Sequence, residues 1–244
     1  MFPIGDENLP GRGLAWVTLS LIAINIAAFL FLQDASGDNT FTYGWSSIAR
    51  EITTGVDLTQ SVPVVIGGTE YLVPQAPGPD PIYLTLLSSM FMHGSLLHLG
   101  GNMLFLWIFG DNVEHRAGPI LYLPFYLLAG IVGSLAQILS DPTSPIPSLG
   151  ASGAISGVLG AYLVLFPRNR VTAFVFRFLV QIPALAAIGM RIALQVISSL
   201  ADSTGAGGVA YLAHIGGFAT GAAVGLLLRA RPDRGAGMAA AGLP

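Results

Sequence analysis

Apolar residues fall in long runs broken by proline, glycine or charge, and a helix needs roughly 20 such residues to cross a hydrocarbon core. Runs of this kind lie at about 14 to 33, 84 to 110, 117 to 139, 150 to 166, 172 to 200 and 207 to 229. The pattern predicts six helices and an all-α polytopic membrane protein, with both termini on one side. Between the first two runs, residues 34 to 83 carry Pro63, Pro74, Pro77, Pro79 and Pro81 and six acids, which reads as a long loop. Its stretch "SSIAREI" suits a short helix in that loop. The fifth run is interrupted by Arg177, Pro183 and Arg191, and both arginines are expected to snorkel to an interface without a functional role.

Composition agrees with a bilayer as solvent. Of the 244 residues 53% are apolar and 9% charged, with a mean hydropathy of +0.70. No cysteine is present, which excludes disulfides, thiolate metal sites and cysteine nucleophiles. All ten basic residues are arginine, so a Ser-Lys dyad and a phosphate-loop lysine are excluded too. A net charge of -3 argues against nucleic acid as a partner.

Arginine placement sets the expected orientation. Arg12, Arg116, Arg168, Arg170, Arg229, Arg231 and Arg234 fall on the side of the termini, while the opposite loops hold Arg50 alone. By the positive-inside rule the termini face the cytoplasm. The opening "MFPIGDENLPGRG" carries two acids and lacks the basic start of a cleaved signal peptide, so the first run is expected to be a retained helix. The chain then divides into a cytoplasmic segment 1–13, a helical domain 14–229 and a cytoplasmic tail 230–244.

Few polar residues remain at membrane depth, where they are costly and so mark function. The second run holds "HGSLLHLGGN" at 93–102, with His98 and Asn102 four apart on one helix face. The fourth opens "GASGAISG" at 150–157 and carries Ser152, and the sixth carries His214 within "AHIGGFATG" at 213–221. Counted from Arg168 and Arg229 at about 1.5 Å per residue, Ser152 and His214 lie roughly 24 and 22 Å up, at nearly one height. His98 comes out at roughly 20 Å and Asn102 lower, at roughly 14 Å.

Gly153 and Gly157 on one run, and Gly217, Gly221 and Gly225 on the other, have the small-xxx-small spacing that lets backbones approach closely. Close packing would bring a hydroxyl to an imidazole, the pairing that activates a serine nucleophile. Ser152 at a helix start has an unpaired N–H, and His98 and Asn102 can add side-chain donors for an oxyanion. Gly150 lets the chain enter the helix tightly. A metal site built from His93, His98 and His214 is disfavoured: the first two are five apart and no carboxylate completes the shell.

These three motifs, in this order on alternate runs, resemble the rhomboid intramembrane serine proteases over essentially the whole chain. The resemblance implies a six-helix rhomboid-like bundle with Ser152 as nucleophile and His214 as general base. It further implies His98, Asn102 and the Ser152 N–H as the oxyanion hole, and His93 as a supporting residue near the mouth. No cofactor or metal is implied. The substrates would be single-span or polytopic membrane proteins in the lipid bilayer, cut near the extracytoplasmic face, and the cysteine-free, lysine-free composition is compatible with a prokaryotic plasma membrane. Two positions depart from the family pattern. Ser156 stands where an aromatic often stacks on the catalytic histidine, and Trp45 with Arg50 is a loose substitute for the family's Trp-Arg pair. The alternative reading is a rhomboid-like scaffold that holds transmembrane clients without cutting them.

Overall fold

A computed structural model of the chain describes residues 2–9, 13–201 and 210–231. Arg12, Arg234, residues 207–209 of the expected last span and the tail from 232 lie outside the described residues. Strand β1 (Phe2–Asp6) precedes helix α1 (Trp16–Ala27), which widens into a π-helical turn over Ala28–Leu32. The Glu114 carboxylate caps α1, accepting from the N–H of Val17 at 3.0 Å and of Thr18 at 2.7 Å. An anion at a helix N-terminus is favoured by the unpaired N–H groups there.

The long loop is folded. Helix α2 (Thr40–Trp45), capped by Asn39, leads to β2 (Ser47–Ile48) and α3 (Ala49–Thr54), the short helix foreseen in "SSIAREI". Strands β3 (Val62–Ile66) and β4 (Thr69–Val73) then form a hairpin. Its turn, Gly67 and Gly68, has positive φ at both positions, as a tight hairpin requires.

The second apolar run is not one helix. Helix α4 (Thr85–Ser88), flanked by 3-10 turns, stops before residues 92–95, and α5 (Leu96–Ala117) leaves at 77° to it. Ser95 starts α5 as its N-cap, its hydroxyl oxygen accepting the His98 N–H at 3.1 Å. Helix α6 (Pro119–Ser140) follows Gly118, and β5 (Pro147–Ser148) pairs antiparallel with β2. Then come α7 (Ser152–Leu165), the hairpin β6 (Arg170–Val175) and β7 (Phe178–Pro183), α8 (Ala184–Ala201) and α9 (Tyr211–Arg229).

The expected all-α bundle of six membrane helices does not hold. Among the described residues only α6 and α9 are long and apolar enough to cross a bilayer, or three spans if the bent pair Ile82–Phe91 and Leu96–Ala117 counts as one. The apolar helices Trp16–Leu32, Ser152–Leu165 and Ala184–Leu200 are shorter. With 14 residues, α7 is about 21 Å long against a core of about 30 Å.

Nor is the fold all helical: β1, β6 and β7 form a three-stranded antiparallel sheet in the order β1-β6-β7. The run from 172 begins as strand because its pattern has period two there. Val171 and Ala173 are fully buried, while Thr172 is half-buried and Phe174 exposed. Arg177 therefore sits exposed at a hairpin turn rather than inside a span, and Pro183 closes β7 ahead of α8.

One end of the molecule is tied by polar contacts. Asp6 accepts from the Tyr162 hydroxyl at 2.5 Å and the Asn112 amide at 2.9 Å. Arg116 donates to the carbonyls of Leu228 at 2.5 Å and Arg231 at 2.7 Å. At the core, α7 is buried from Gly153 through Tyr162 among α5, α6 and α9.

Candidate active site

Ser152 is the first residue of α7, so its N–H has no carbonyl one turn back to bond. The chain reaches it through Gly150, whose φ of +128° disfavours any other residue. The Gly150 N–H is anchored on the Ser89 carbonyl at 2.8 Å. A β-carbon at Gly150 would stand 2.9 Å from Nε2 of His98, so the missing side chain is what admits that ring beside the serine.

His214 lies in the first turn of α9, 7% exposed, with its Nε2 2.7 Å from the Ser152 Oγ. The glycines make this contact. A β-carbon on Gly217 would collide with the Gly153 carbonyl, and one on Gly221 with the Gly157 carbonyl. Gly153 itself faces the Ala213 carbonyl across the same seam. Helices α7 and α9 thus meet backbone to backbone, and the equal height read from the sequence becomes a hydrogen bond.

The Nδ1 of His214 is buried without a hydrogen-bond partner among the described residues. When Nε2 accepts from the serine, Nδ1 carries the proton, and among the described residues no carboxylate orients it. No aromatic ring stacks on His214 among the described residues. Ser156, where one was in question, is buried and lines the neighbouring cavity.

That cavity, of about 1100 Å³, is lined by Ser152, His214, His98 and Asn102 together. The Asn102 amide nitrogen is buried and makes no hydrogen bond among the described residues, leaving a donor to spare. The lower height counted for Asn102 does not separate it from the others. A second space of about 20 Å³, walled by Ser89, Ser134, Ser148 and Ser152, has room for one water molecule.

His93 lies in the break before α5, not on it, and is fully buried outside the cavity. Its ring meets that of His98 edge-on at 5.0 Å, a proximity that spacing along one helix did not foresee. Gln33 clamps its main chain, accepting the His93 N–H at 2.8 Å and donating to its carbonyl at 3.0 Å. Among the described residues no three His, Asp or Glu side chains are grouped to hold a metal ion. Trp45 and Arg50 do not line the cavity: the Trp45 carbonyl accepts from Ser88 at 2.8 Å, and the Arg50 N–H donates to Ser144 at 3.0 Å.

Sequence reasoning missed two residues. Gln33, a polar side chain closing an apolar run, holds the His93 segment. Arg191, expected at an interface, instead lines the cavity with its guanidinium 4.2 Å from the centre of the Phe105 ring. The signal for each was a polar residue with no place on an apolar face.

These features define a largely helical membrane protein with a serine and a histidine joined in its interior. Residues 81–231 match the family model for the Rhomboid domain, and the chain belongs to the rhomboid family. It is 37% identical over 145 residues to the Rhomboid protease GluP of Bacillus subtilis, covering 58% of this chain and 26% of that one. It is 38% identical over 97 residues to the mitochondrial Rhomboid protein 1 of Saccharomyces cerevisiae, covering 38% and 28%. With RHOMBOID-like protein 5 of Arabidopsis thaliana it shares 31% over 156 residues, covering 62% and 45%. The matched region spans less than half the length of each of these relatives.

Proposed function

We propose that this protein is an intramembrane serine endopeptidase of the rhomboid type, hydrolysing peptide bonds in or beside the transmembrane helices of membrane proteins. The observation that carries this reading is the 2.7 Å contact between His214 Nε2 and Ser152 Oγ beside a cavity large enough for a peptide segment. The similarity to a relative named a protease, GluP, supports it.

In this mechanism His214 takes the hydroxyl proton as the Ser152 oxygen attacks the scissile carbonyl. The oxyanion that forms is met by the Ser152 N–H and by side-chain donors of His98 and Asn102. His214 returns the proton to the leaving amine, and water then hydrolyses the acyl-enzyme. The dyad works without a carboxylate, since His214 Nδ1 has no such partner among the described residues. His93 acts as a support behind His98, and Gly150, Gly153, Gly217 and Gly221 hold the two reacting elements at contact distance. A helical substrate carbonyl is hydrogen-bonded and shielded, so the segment to be cut must first become extended.

The end that holds Arg116, Arg229 and Arg231 together with β1 is assigned to the cytoplasm by the positive-inside rule, and the cysteine-free, lysine-free composition is compatible with a prokaryotic plasma membrane. The cavity then opens toward the extracytoplasmic side, and residues 14–229 constitute the protease domain.

The test is cleavage of single-span substrates by the purified protein in detergent, alongside fluorophosphonate labelling. Wild type is expected to cut and to label, and Ser152→Ala to do neither. A wild type that neither cuts nor labels, yet retains transmembrane clients, would replace the protease with a binding scaffold.

A further inference from the structure

Among the described residues, Arg191 is the one arginine lining the cavity that holds Ser152 and His214. It sits in α8, half-buried, with its Cζ 4.2 Å from the centre of the Phe105 ring, one helical turn beyond Asn102 on α5. A cation held over an aromatic face is stabilised there but keeps its in-plane N–H donors for other partners. The Nε of Arg191 is buried and makes no hydrogen bond among the described residues. The one acid lining the same cavity among the described residues, Asp141, is engaged instead by Thr143, accepting from its hydroxyl at 3.0 Å and its N–H at 3.3 Å.

An arginine partly withdrawn from water, with no acid paired to it among the described residues, is costly, and intramembrane charges ordinarily pair or line a functional cavity. Snorkelling would have relieved the cost, yet this side chain is turned to the cavity wall. What a guanidinium fork recognises best in such a setting is a planar carboxylate, bound through two parallel hydrogen bonds.

We infer that Arg191 is a specificity-determining residue of the substrate cavity, recognising an Asp or Glu side chain close to the scissile bond of the client segment. The inference rests on the protease reading in placing the client in that cavity. Phe105 fixes the guanidinium from one side, and the client carboxylate completes its coordination. The cost of carrying a carboxylate out of bulk water into the cavity is then offset chiefly in clients that meet Arg191, which makes the contact selective.

The experiment uses full-length protein in phosphatidylcholine vesicles, which carry no net charge, with single-span substrates differing by one residue. Glu, Gln or Lys is placed in turn at each position flanking the cleavage site, and kcat/KM is measured for wild type, Arg191→Gln and Arg191→Glu. At one or two positions wild type is expected to prefer Glu over Gln by about tenfold, the size of one charge-assisted contact. The Glu-to-Gln ratio falls to about one in Arg191→Gln, and Lys becomes preferred over Glu at the same positions in Arg191→Glu. A structural role for Arg191 would change all substrates alike and would not invert a charge preference.

The same labelled substrates are bound to Ser152→Ala, with and without Arg191→Gln, in the same vesicles. If wild type cuts nothing, the protease reading fails, but a Glu preference in binding that depends on Arg191 still upholds the recognition site. No Glu preference in either measurement, or one that survives Arg191→Gln, overturns the inference. An effect of Arg191 that emerges only when phosphatidylglycerol is added, regardless of the substrate residue, also overturns it and assigns the guanidinium to a lipid phosphate.

Discussion

The carbonyl oxygen of Gly153 occupies the place where a β-carbon of residue 217 would stand. Two helices that touch at this distance leave no room for even a methyl group, and the seam ends in the contact between Ser152 and His214. Replacing Gly217 or Gly221 by alanine is expected to push α9 off α7, costing about 1–3 kcal/mol or more as overpacking. Peptidase activity should fall further than stability, because the hydroxyl and imidazole separate. Gly189, in α8 with open space around it, is the control: Gly189→Ala should be neutral or stabilising by up to about 1 kcal/mol. Thermal unfolding and substrate cleavage on the same preparations check both.

Removing either member of the dyad should abolish nearly all turnover. Ser152→Ala and His214→Ala are each expected to lower kcat by roughly 10⁴-fold or more, and the double variant to be no worse than either alone, since the two act as a unit. Additive losses would argue that the 2.7 Å contact is structural.

Asn102→Ala should act on the transition state. Its amide nitrogen is buried without a partner among the described residues, so the loss is expected in kcat, by roughly a hundredfold to a thousandfold, with KM little changed. Single-turnover kinetics separate the two. Gly150→Ala combines an unfavourable φ with a clash against the His98 ring, and should lower activity even where the protein remains folded.

The clasp at the opposite end brings a pH dependence. Burial pushes the Asp6 carboxyl up from 3.8 to about 6, against the lowering effect of its hydrogen bond from Tyr162 and with a further rise from the charge of Asp111. The folded state therefore binds this proton more tightly than the unfolded state. Its stabilising contribution is complete below about pH 4, declines as pH rises to about 6 and stays lost above. Asp6→Asn should flatten that part of the profile and raise Tm at pH 7.5 relative to wild type. Burial also pushes Glu51 up to about 7, an effect of the same sign at the other end of the molecule, so Glu51→Gln is measured in parallel. If wild type and Asp6→Asn keep parallel profiles from pH 4 to 6, the clasp contributes nothing.

The amino-acid sequence by itself determined the apolar character of the chain and the places of α6 and α9, and it singled out Ser152, His214, His98 and Asn102, which line one cavity. Those are local matters, of run length, of polar groups costly at depth and of glycine spacing that allows only one kind of helix contact. Run length did not determine conformation. The stretch from 172 is as apolar as a span, but it alternates with period two and finds an edge in β1, a partner far away in the chain. The second run breaks over residues 92–95, where Gln33 satisfies the buried main chain of His93, which no local pattern announces. Arg191 was legible only as an anomaly. Its turn inward depends on Phe105, brought from another helix, and side-chain direction on an apolar helix is decided by what packs against it.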